Sequence, residues 1–195
     1  MKVVGIIGGV GAGKSTVLSI LSDLTDCTII IADELAKTLM QYGNVLCDDA
    51  IRLFGEQAYD EKGRLNRRYI ASRIYADKEL LNEWNGLVHP AVNKAIYAMI
   101  DKARCSGPDY FFIESALLIE NGYDAICDEM WYVYCPENIR IARLIESRGY
   151  TEEKCRSIMA NQLSDDEFRR YADFIIDTSK SIDDTCLIIK NYLEQ

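Results

Sequence analysis

The sequence predicts an α/β fold in which a five-stranded parallel sheet is flanked by helices. Three observations favour this fold: short apolar runs recur along the chain, helical patterns separate them, and a glycine-rich turn follows the first run. Strands that alternate with helices form a parallel sheet whose faces the helices cover. The runs predicted to be strands are residues 2–7, 28–32, 110–115, 130–134 and 173–177.

Composition limits the number of domains and the class of partner. The chain has 195 residues, of which 49% are hydrophobic and 27% charged, as in ordinary globular proteins. A chain of this length buries roughly 70% of its unfolded surface in one core, so we expect a single domain over residues 1–195. The net charge of −9 argues against a nucleic-acid partner, because such binding needs Lys and Arg to neutralise phosphates. No apolar run approaches the length that spans a membrane, so no membrane partner is expected.

The cysteines and the single histidine argue against a zinc site. Seven cysteines are scattered along the chain without C-x-x-C spacing. Their number is odd and no signal-peptide pattern precedes the first strand, so we expect reduced thiols and a cytoplasmic location. The sequence carries no signal for an oligomeric state.

The stretch "GIIGGVGAGKST", residues 5–16, joins the first predicted strand to the first predicted helix. Gly8, Gly13, Lys14 and Ser15 have the spacing of a phosphate-binding loop. Glycines let successive N–H groups point into one concavity, and the helix start adds its own unpaired N–H groups. We therefore expect Lys14 to reach the outer phosphates of a nucleoside triphosphate and the Ser15 hydroxyl to bind Mg²⁺. The residues predicted to hold the nucleotide are Gly9, Val10, Gly11, Ala12, Gly13, Lys14, Ser15 and Thr16.

Two other nucleotide-binding patterns fit less well. A string similar to the G-x-G-x-x-G of dinucleotide-binding turns begins at Gly8, but the Lys-Ser-Thr tail favours a nucleoside triphosphate. "DEKG", residues 60–63, is similar to the D-x-x-G of GTPases, but no apolar strand precedes it and no N-K-x-D occurs. A guanine-nucleotide switch is therefore disfavoured.

Two helical stretches interrupt the alternation of strands and helices. Residues 34–109 are too long for one crossover connection, and we expect a mostly helical insertion that binds the second substrate. Within it, His89 precedes Pro90, which predicts a helix break with the proline opening the next helix. Residues 137–172 follow the fourth strand and are rich in arginine, which suggests a lid that closes over phosphates.

The lid arginines have a structural alternative. Arg140 and Arg143 are three residues apart and so lie on one helix face. They can contact the phosphates, or they can form a solvated face paired with Glu137 and Glu146. Arg148 lies at the predicted end of this helix, a position that suits a hinge or a cap.

Acidic residues end two of the predicted strands. Asp33 ends the second strand, and the carboxyl ends of parallel strands face the ligand crevice. There Asp33 can orient or deprotonate an acceptor hydroxyl, or hold Mg²⁺ through water. Alternatively, Asp33 caps the helix that follows. Glu114 ends the third strand, so it also faces the ligand crevice, and a purely structural role for this acid is an equal alternative.

Taken together, these features resemble the dephospho-coenzyme A kinase family over nearly the whole chain. The matching strings occur in the family's order and are "GGVGAGKST" (8–16), "IADELA" (31–36), "FG" (54–55), "KGRLNRR" (62–68), "HP" (89–90), "ESALLIENGYD" (114–124), "RIARL" (140–144), "NQLSDDE" (161–167) and "ADFIID" (172–177). The resemblance implies a P-loop kinase core with a helical substrate-binding insertion and a short helical lid. It also implies transfer of the γ-phosphoryl group of ATP to the ribose 3′-hydroxyl of dephospho-coenzyme A, the last step of coenzyme A synthesis, with Mg²⁺ as the metal.

Residue roles are implied only where a residue falls on a family position. The implied catalytic residues are Asp33, Lys14 and Arg143, the implied substrate-binding residues are Asp33, His89 and Arg140, and the implied metal ligand is Ser15. Two other functions stay open at this point. One is another small-metabolite or nucleotide P-loop kinase, and the other is a nucleotide-dependent switch without transfer chemistry.

Three positions depart from the family pattern. The family usually has Asp-Ala-Asp where this chain has Ile31-Ala32-Asp33, so only the second aspartate of the pattern, Asp33, is present. Ser147 stands where a second lid arginine commonly lies, and Arg148 is one position further, about 100° around the helix. Thr178 replaces the usual asparagine, which leaves the contacts at that position open.

Overall fold

The structure is a computed structural model that describes residues 1–115, 117–120 and 122–194. Two residues of the string "ESALLIENGYD", Ala116 and Asn121, lie outside the described residues. The chain forms two compact units, which we name the core unit (Met1–Ile30 with Ala103–Gln195) and the insertion unit (Ile31–Lys102). The roles expected for residues 34–109 and 137–172 stay predictions.

A parallel sheet is the central element of the fold. Within the described residues its five strands are β1 (Lys2–Ile7), β2 (Cys27–Ile31), β3 (Tyr110–Glu114), β4 (Glu129–Tyr134) and β5 (Phe174–Asp177). Their order is β2-β3-β1-β4-β5, and β1 pairs in parallel with both β3 and β4. The predicted fold class is confirmed, and each predicted strand agrees with the observed one to within one residue at either end.

Helices follow the strands along the chain. The α-helices of the described residues are α1 (Lys14–Leu24), α2 (Ala32–Leu39), α3 (Cys47–Phe54), α4 (Arg67–Ala76), α5 (Lys78–Ser106), α6 (Glu137–Arg148), α7 (Glu152–Met159), α8 (Asp165–Tyr171) and α9 (Ile182–Leu193). Short 3-10 helices lie at Glu56–Ala58 and Tyr123–Ile126. None of the helices in the described ranges is both long and apolar enough to cross a bilayer.

The core of the core unit forms where α1 and α9 pack on the sheet. Every residue of β1 after Lys2 is buried, as expected for a central strand covered on both faces. Val17 and Leu21 of α1 recur at helical spacing and join the same apolar cluster as Trp131. Gly5 is required inside β1, because a Cβ there would lie 2.5 Å from the Met130 sulfur.

The predicted helix break at Pro90 is wrong. Pro90 lies inside α5, which continues without interruption over 29 residues from Lys78 to Ser106. A proline in a helix interior costs about 3 kcal/mol, because it removes one hydrogen bond and crowds the preceding turn. The buried side chains spaced four residues apart on α5 are Trp84, Val88, Val92, Ile96 and Ile100. Each contributes roughly 1.5–3 kcal/mol of burial, which outweighs the cost of the proline.

Glu129 connects the amino ends of two strands to the last helix. Its carboxylate accepts hydrogen bonds from Lys2 Nζ at 2.7 Å, Trp131 Nε1 at 2.8 Å and Tyr192 Oη at 3.1 Å. Burial acts to raise the pKa of the Glu129 carboxyl, but these hydrogen bonds outweigh it, so its pKa lies below the ordinary value. Ionised Glu129 therefore stabilises the folded state.

We expect Glu129→Gln to lower the free energy of unfolding by about 1–3 kcal/mol at pH 7, the range for hydrogen bonds to a charged group. Since the folded-state pKa is depressed, this contribution is complete above the unfolded-state pKa and is lost as pH falls through the folded-state pKa. Urea denaturation between pH 7 and pH 3 measures the difference between wild type and variant. Glu153→Gln, on an exposed position of α7, is the control. A difference that did not shrink on acidification would contradict the assignment.

Candidate active site

The phosphate-binding loop, residues 8–16, runs from the carboxyl end of β1 into α1. Gly8 has a φ of 143°, and a Cβ there would lie 2.5 Å from the Val133 carbonyl oxygen. Gly13 is the N-cap of α1, with a left-handed φ of 94° that favours glycine. The glycines at these two positions are therefore required by a close approach to β4 and by the turn into the helix.

Several backbone N–H groups of the phosphate-binding loop can donate hydrogen bonds to an anion. Among the residues that the structure describes, the loop amides that donate to no protein acceptor include those of Gly11, Gly13, Ser15 and Thr16. The first turn of α1 contains no acidic residue. Unpaired amides at a helix N-terminus, with the positive end of the helix dipole, bind phosphate groups.

Lys14 begins α1, and its side chain is largely buried. Its Nζ donates a hydrogen bond to the Gly8 carbonyl oxygen at 2.8 Å and lies 3.5 Å from Glu114 Oε1 at the end of β3. The ammonium is thus held across the loop by one carbonyl and one carboxylate. Glu114 therefore contacts a residue of the site. The sequence had left open whether this acid has a structural role or faces the ligand crevice.

Arg140 of α6 is held against the loop. Its side chain is 10% exposed, its Nε donates to the Val10 carbonyl oxygen at 2.9 Å, and its Nη1 lies 3.9 Å from Asp165 Oδ1. A Cβ on Gly9 would lie 2.2 Å from Arg140 Nη2, so a larger residue there would displace the guanidinium from this position. For Arg140, the alternative of a solvated face is therefore wrong. Glu137, one of its expected partners, contacts Arg156 instead.

Arg143 reaches the end of β5. Its Nη2 donates to the Thr178 carbonyl oxygen at 2.6 Å, and its Nη1 lies 3.3 Å from Thr178 Oγ1. The Thr178 hydroxyl in turn donates to the Ala12 carbonyl oxygen at 2.6 Å. Thr178, at the position where the family usually has asparagine, thus links the loop to Arg143.

Gln162 is a site residue that the sequence did not single out. Its Oε1 accepts a hydrogen bond from the Val10 amide at 2.9 Å, while Arg140 donates to the carbonyl oxygen of the same residue, so both backbone groups of Val10 are held. The signal that could have identified it is its place in "NQLSDDE", one of the strings shared with the family.

Arg148 lies away from these contacts. It is the last residue of α6, and its guanidinium lies 6.0 Å from the ring centroid of Tyr150. The glycine that follows, Gly149, ends the helix in the left-handed region with a φ of 63°. Its position at the helix end agrees with the sequence-based expectation, and its role as a hinge or a cap stays a prediction.

Asp33 and His89 belong to the insertion unit. Asp33 is the second residue of α2 and is exposed, and the N-cap of that helix is Ile31. The alternative that Asp33 caps the helix is therefore wrong. His89 lies half-buried in the middle of α5. Within the described ranges, no group of three or more His, Cys, Asp or Glu side chains is arranged to hold a metal ion.

These observations first define a class of protein. A glycine-rich loop between β1 and α1 of a parallel sheet, followed by a lysine and a serine, is the nucleotide-binding site of P-loop proteins. Arginines beside the loop are typical of the phosphotransferases in that class, because they stabilise charge on the transferred group. The fold and the loop are those of a P-loop kinase.

The chain belongs to the dephospho-CoA kinase family. The family model of that description matches residues 2–184. The dephospho-CoA kinase of Staphylococcus saprophyticus is 36% identical over 194 residues, covering 99% of this chain and 91% of the relative. The dephospho-CoA kinase of Corynebacterium diphtheriae is 34% identical, covering 94% and 91%. Among solved structures, TT1252 from Thermus thermophilus aligns with a TM-score of 0.82 at 27% identity, covering 99% of this chain and 96% of that one.

We expect Thr178→Val to weaken ATP binding, because it removes the hydroxyl that holds the Ala12 carbonyl and leaves that oxygen without its donor. The loss of about 1–2 kcal/mol corresponds to a rise in Kd of about 5- to 30-fold. Calorimetric titration with ATP measures it, and Thr178→Ser, which keeps the hydroxyl, is the matched control. Equal affinities for the valine and serine variants would show that the hydroxyl does not support the loop.

Proposed function

We propose that this chain transfers the γ-phosphoryl group of ATP to the ribose 3′-hydroxyl of dephospho-coenzyme A, giving coenzyme A and ADP. Membership of the dephospho-CoA kinase family gives this activity. The observation that carries it structurally is the concave row of loop amides beside Lys14. Phosphoryl transfer needs positioning and charge stabilisation, which such a site supplies.

The loop and Lys14 bind the triphosphate in this proposal. The free amides donate to phosphate oxygens, and the Lys14 ammonium, now shared between Gly8 and Glu114, turns to the outer phosphates. Ser15 is the proposed ligand of Mg²⁺, because its exposed hydroxyl lies one residue into α1 and offers the hard oxygen that Mg²⁺ prefers. When bound, the ion neutralises charge on the phosphate oxygens.

The arginines of α6 complete the charge stabilisation. We assign Arg143 to the transferred phosphoryl group, since its guanidinium is already fixed at the end of β5 by Thr178. Arg140 is assigned to substrate binding through its Nη atoms, while its Nε keeps the Val10 carbonyl in place. A guanidinium held in position before the reaction stabilises charge without reorganisation.

Asp33 is the proposed catalytic carboxylate of the acceptor side, acting as a general base, and His89 is assigned to the acceptor site. Asp33 lies two residues after the end of β2, and carboxyl ends of strands in parallel sheets are where ligands bind. Its carboxylate would orient the 3′-hydroxyl and accept its proton. We also propose a cytoplasmic location, which the seven free thiols support because reducing compartments preserve them.

We expect Asp33→Asn to lower kcat by roughly 10²–10⁴, because the amide cannot accept the proton. Steady-state rates of ADP release with saturating ATP and dephospho-coenzyme A measure this. Glu34→Gln, the neighbouring acid in the first turn of α2, is the control for helix stability. A normal kcat in the asparagine variant would remove Asp33 from the chemistry.

The function itself is tested with a panel of acceptors. With ATP and Mg²⁺, we expect a 3′-phosphate on dephospho-coenzyme A, detected by mass spectrometry, and no product from nucleoside monophosphates. Lys14→Ala should lower kcat by about 10²–10³, the effect of losing a preorganised charge at the transferred group. Phosphorylation of a nucleoside monophosphate alone would favour another P-loop kinase. ATP hydrolysis that no acceptor changes would favour a nucleotide-dependent switch.

A further inference from the structure

A pocket lined by cations lies within the insertion unit. We name it the cationic pocket. It has a volume of about 480 Å³, and four of its lining side chains are basic: Lys37, Lys62, Arg64 and Arg67. No carboxylate lines it. In a chain with a net charge of −9, such a concentration of positive charge indicates an anionic ligand.

Two of the four cations are not neutralised by the protein. Arg64 is paired with Asp60, and Lys37 contacts Glu34. In the part of the chain that the structure describes, Lys62 and Arg67 have no acidic partner. Their charges are therefore available to a ligand, and binding would not first have to break an ion pair.

The loop that presents Lys62 and Arg64 is rigid. Asp60 Oδ1 accepts hydrogen bonds from the backbone amides of Lys62 and Arg64, both at 2.9 Å, and Asp60 Oδ2 accepts from Arg64 Nε at 2.7 Å. Gly63, with a φ of 70°, packs beneath Tyr42, where a Cβ would lie 3.2 Å from the Tyr42 Cβ. A loop that is already ordered loses little entropy when a ligand binds.

The start of α4 adds to the positive charge. Arg67 is the first residue of this helix, and its first turn contains no acidic residue. Asn66 caps the helix by accepting a hydrogen bond from the Tyr69 amide at 3.2 Å. The positive end of the α4 dipole therefore lies at the pocket together with the Arg67 guanidinium.

The pocket lies one helical turn from Asp33. Lys37 follows Asp33 by four residues on α2, so the two side chains lie on one face about 6 Å apart along the axis. In dephospho-coenzyme A the 3′-hydroxyl and the 5′-diphosphate are attached to the same ribose. A ribose whose 3′-hydroxyl meets Asp33 would therefore present its 5′ side to a neighbouring cation.

We propose that the cationic pocket binds the 5′-diphosphate of dephospho-coenzyme A, an inference that rests on the proposed function. Lys62 and Arg67 donate charge-assisted hydrogen bonds to the diphosphate oxygens, and Lys37 closes the pocket on the side of Asp33. Acceptor specificity then comes from the diphosphate, which distinguishes this substrate from a free nucleoside.

Charge-removing variants test the pocket. Lys62→Gln and Arg67→Gln should each raise the KM for dephospho-coenzyme A about 10- to 100-fold, the effect of one charge-assisted hydrogen bond. The KM for ATP and kcat at saturating acceptor should stay unchanged. The rise of KM with salt should be flatter in the double variant than in the wild type.

Arg68→Gln is the matched control, because Arg68 is exposed, follows Arg67 on α4 and does not line the pocket. It should change the acceptor KM by no more than about twofold, as for an isolated surface charge. Thermal unfolding checks that all variants are folded.

Three outcomes would overturn the inference. The first is an unaltered KM for dephospho-coenzyme A in the double variant. The second is an equal rise in that KM for Arg68→Gln. The third is a rise in the KM for ATP, which would assign the pocket to the diphosphate of the nucleotide. Each leaves the proposed function standing if the wild type still phosphorylates dephospho-coenzyme A. Absence of that turnover in the wild type would overturn both.

Discussion

The backbone of the phosphate-binding loop is held in place by side chains that the chain supplies 130 or more residues later. Arg140 donates to the Val10 carbonyl, Gln162 accepts from the Val10 amide, and Thr178 donates to the Ala12 carbonyl. Glycines alone would let the loop sample many shapes. These contacts select one shape, so that the free amides already point at a phosphate before it binds, which is the condition for strong electrostatic stabilisation.

The same contacts join the loop to the helices predicted as a lid. Val10 packs against the apolar cluster of Ile141, Leu144 and Cys155, which connects α6 to α7. Arg140 lies beside Asp165 of α8, which accepts a hydrogen bond from the Tyr132 hydroxyl at 2.7 Å. The loop and the helices predicted as a lid therefore share one packed region of the core unit. A displacement of α6 would therefore alter the shape of the loop as well as the positions of Arg140 and Arg143.

An acidic protein that handles phosphates has to concentrate its positive charge. It does so at the loop and in the cationic pocket, and in both places a carboxylate lies beside the basic residues. Glu114 lies beside Lys14, and Asp60 fixes the loop that carries Lys62 and Arg64. In both places a glycine with positive φ shapes the backbone, Gly13 at the first and Gly63 at the second. Rigid presentation of a few cations thus replaces a high overall positive charge.

The sequence by itself determined the sheet, the strand bounds and the phosphate-binding loop, because apolar runs, helical spacing and glycine positions act over a few neighbouring residues. It did not determine that α5 continues through Pro90, since that depends on the burial of apolar side chains along the helix. Nor did it show that Arg140, Gln162 and Thr178 hold the loop. Only the tertiary structure decided these contacts, because each joins groups more than a hundred residues apart whose meeting depends on the packing of whole elements.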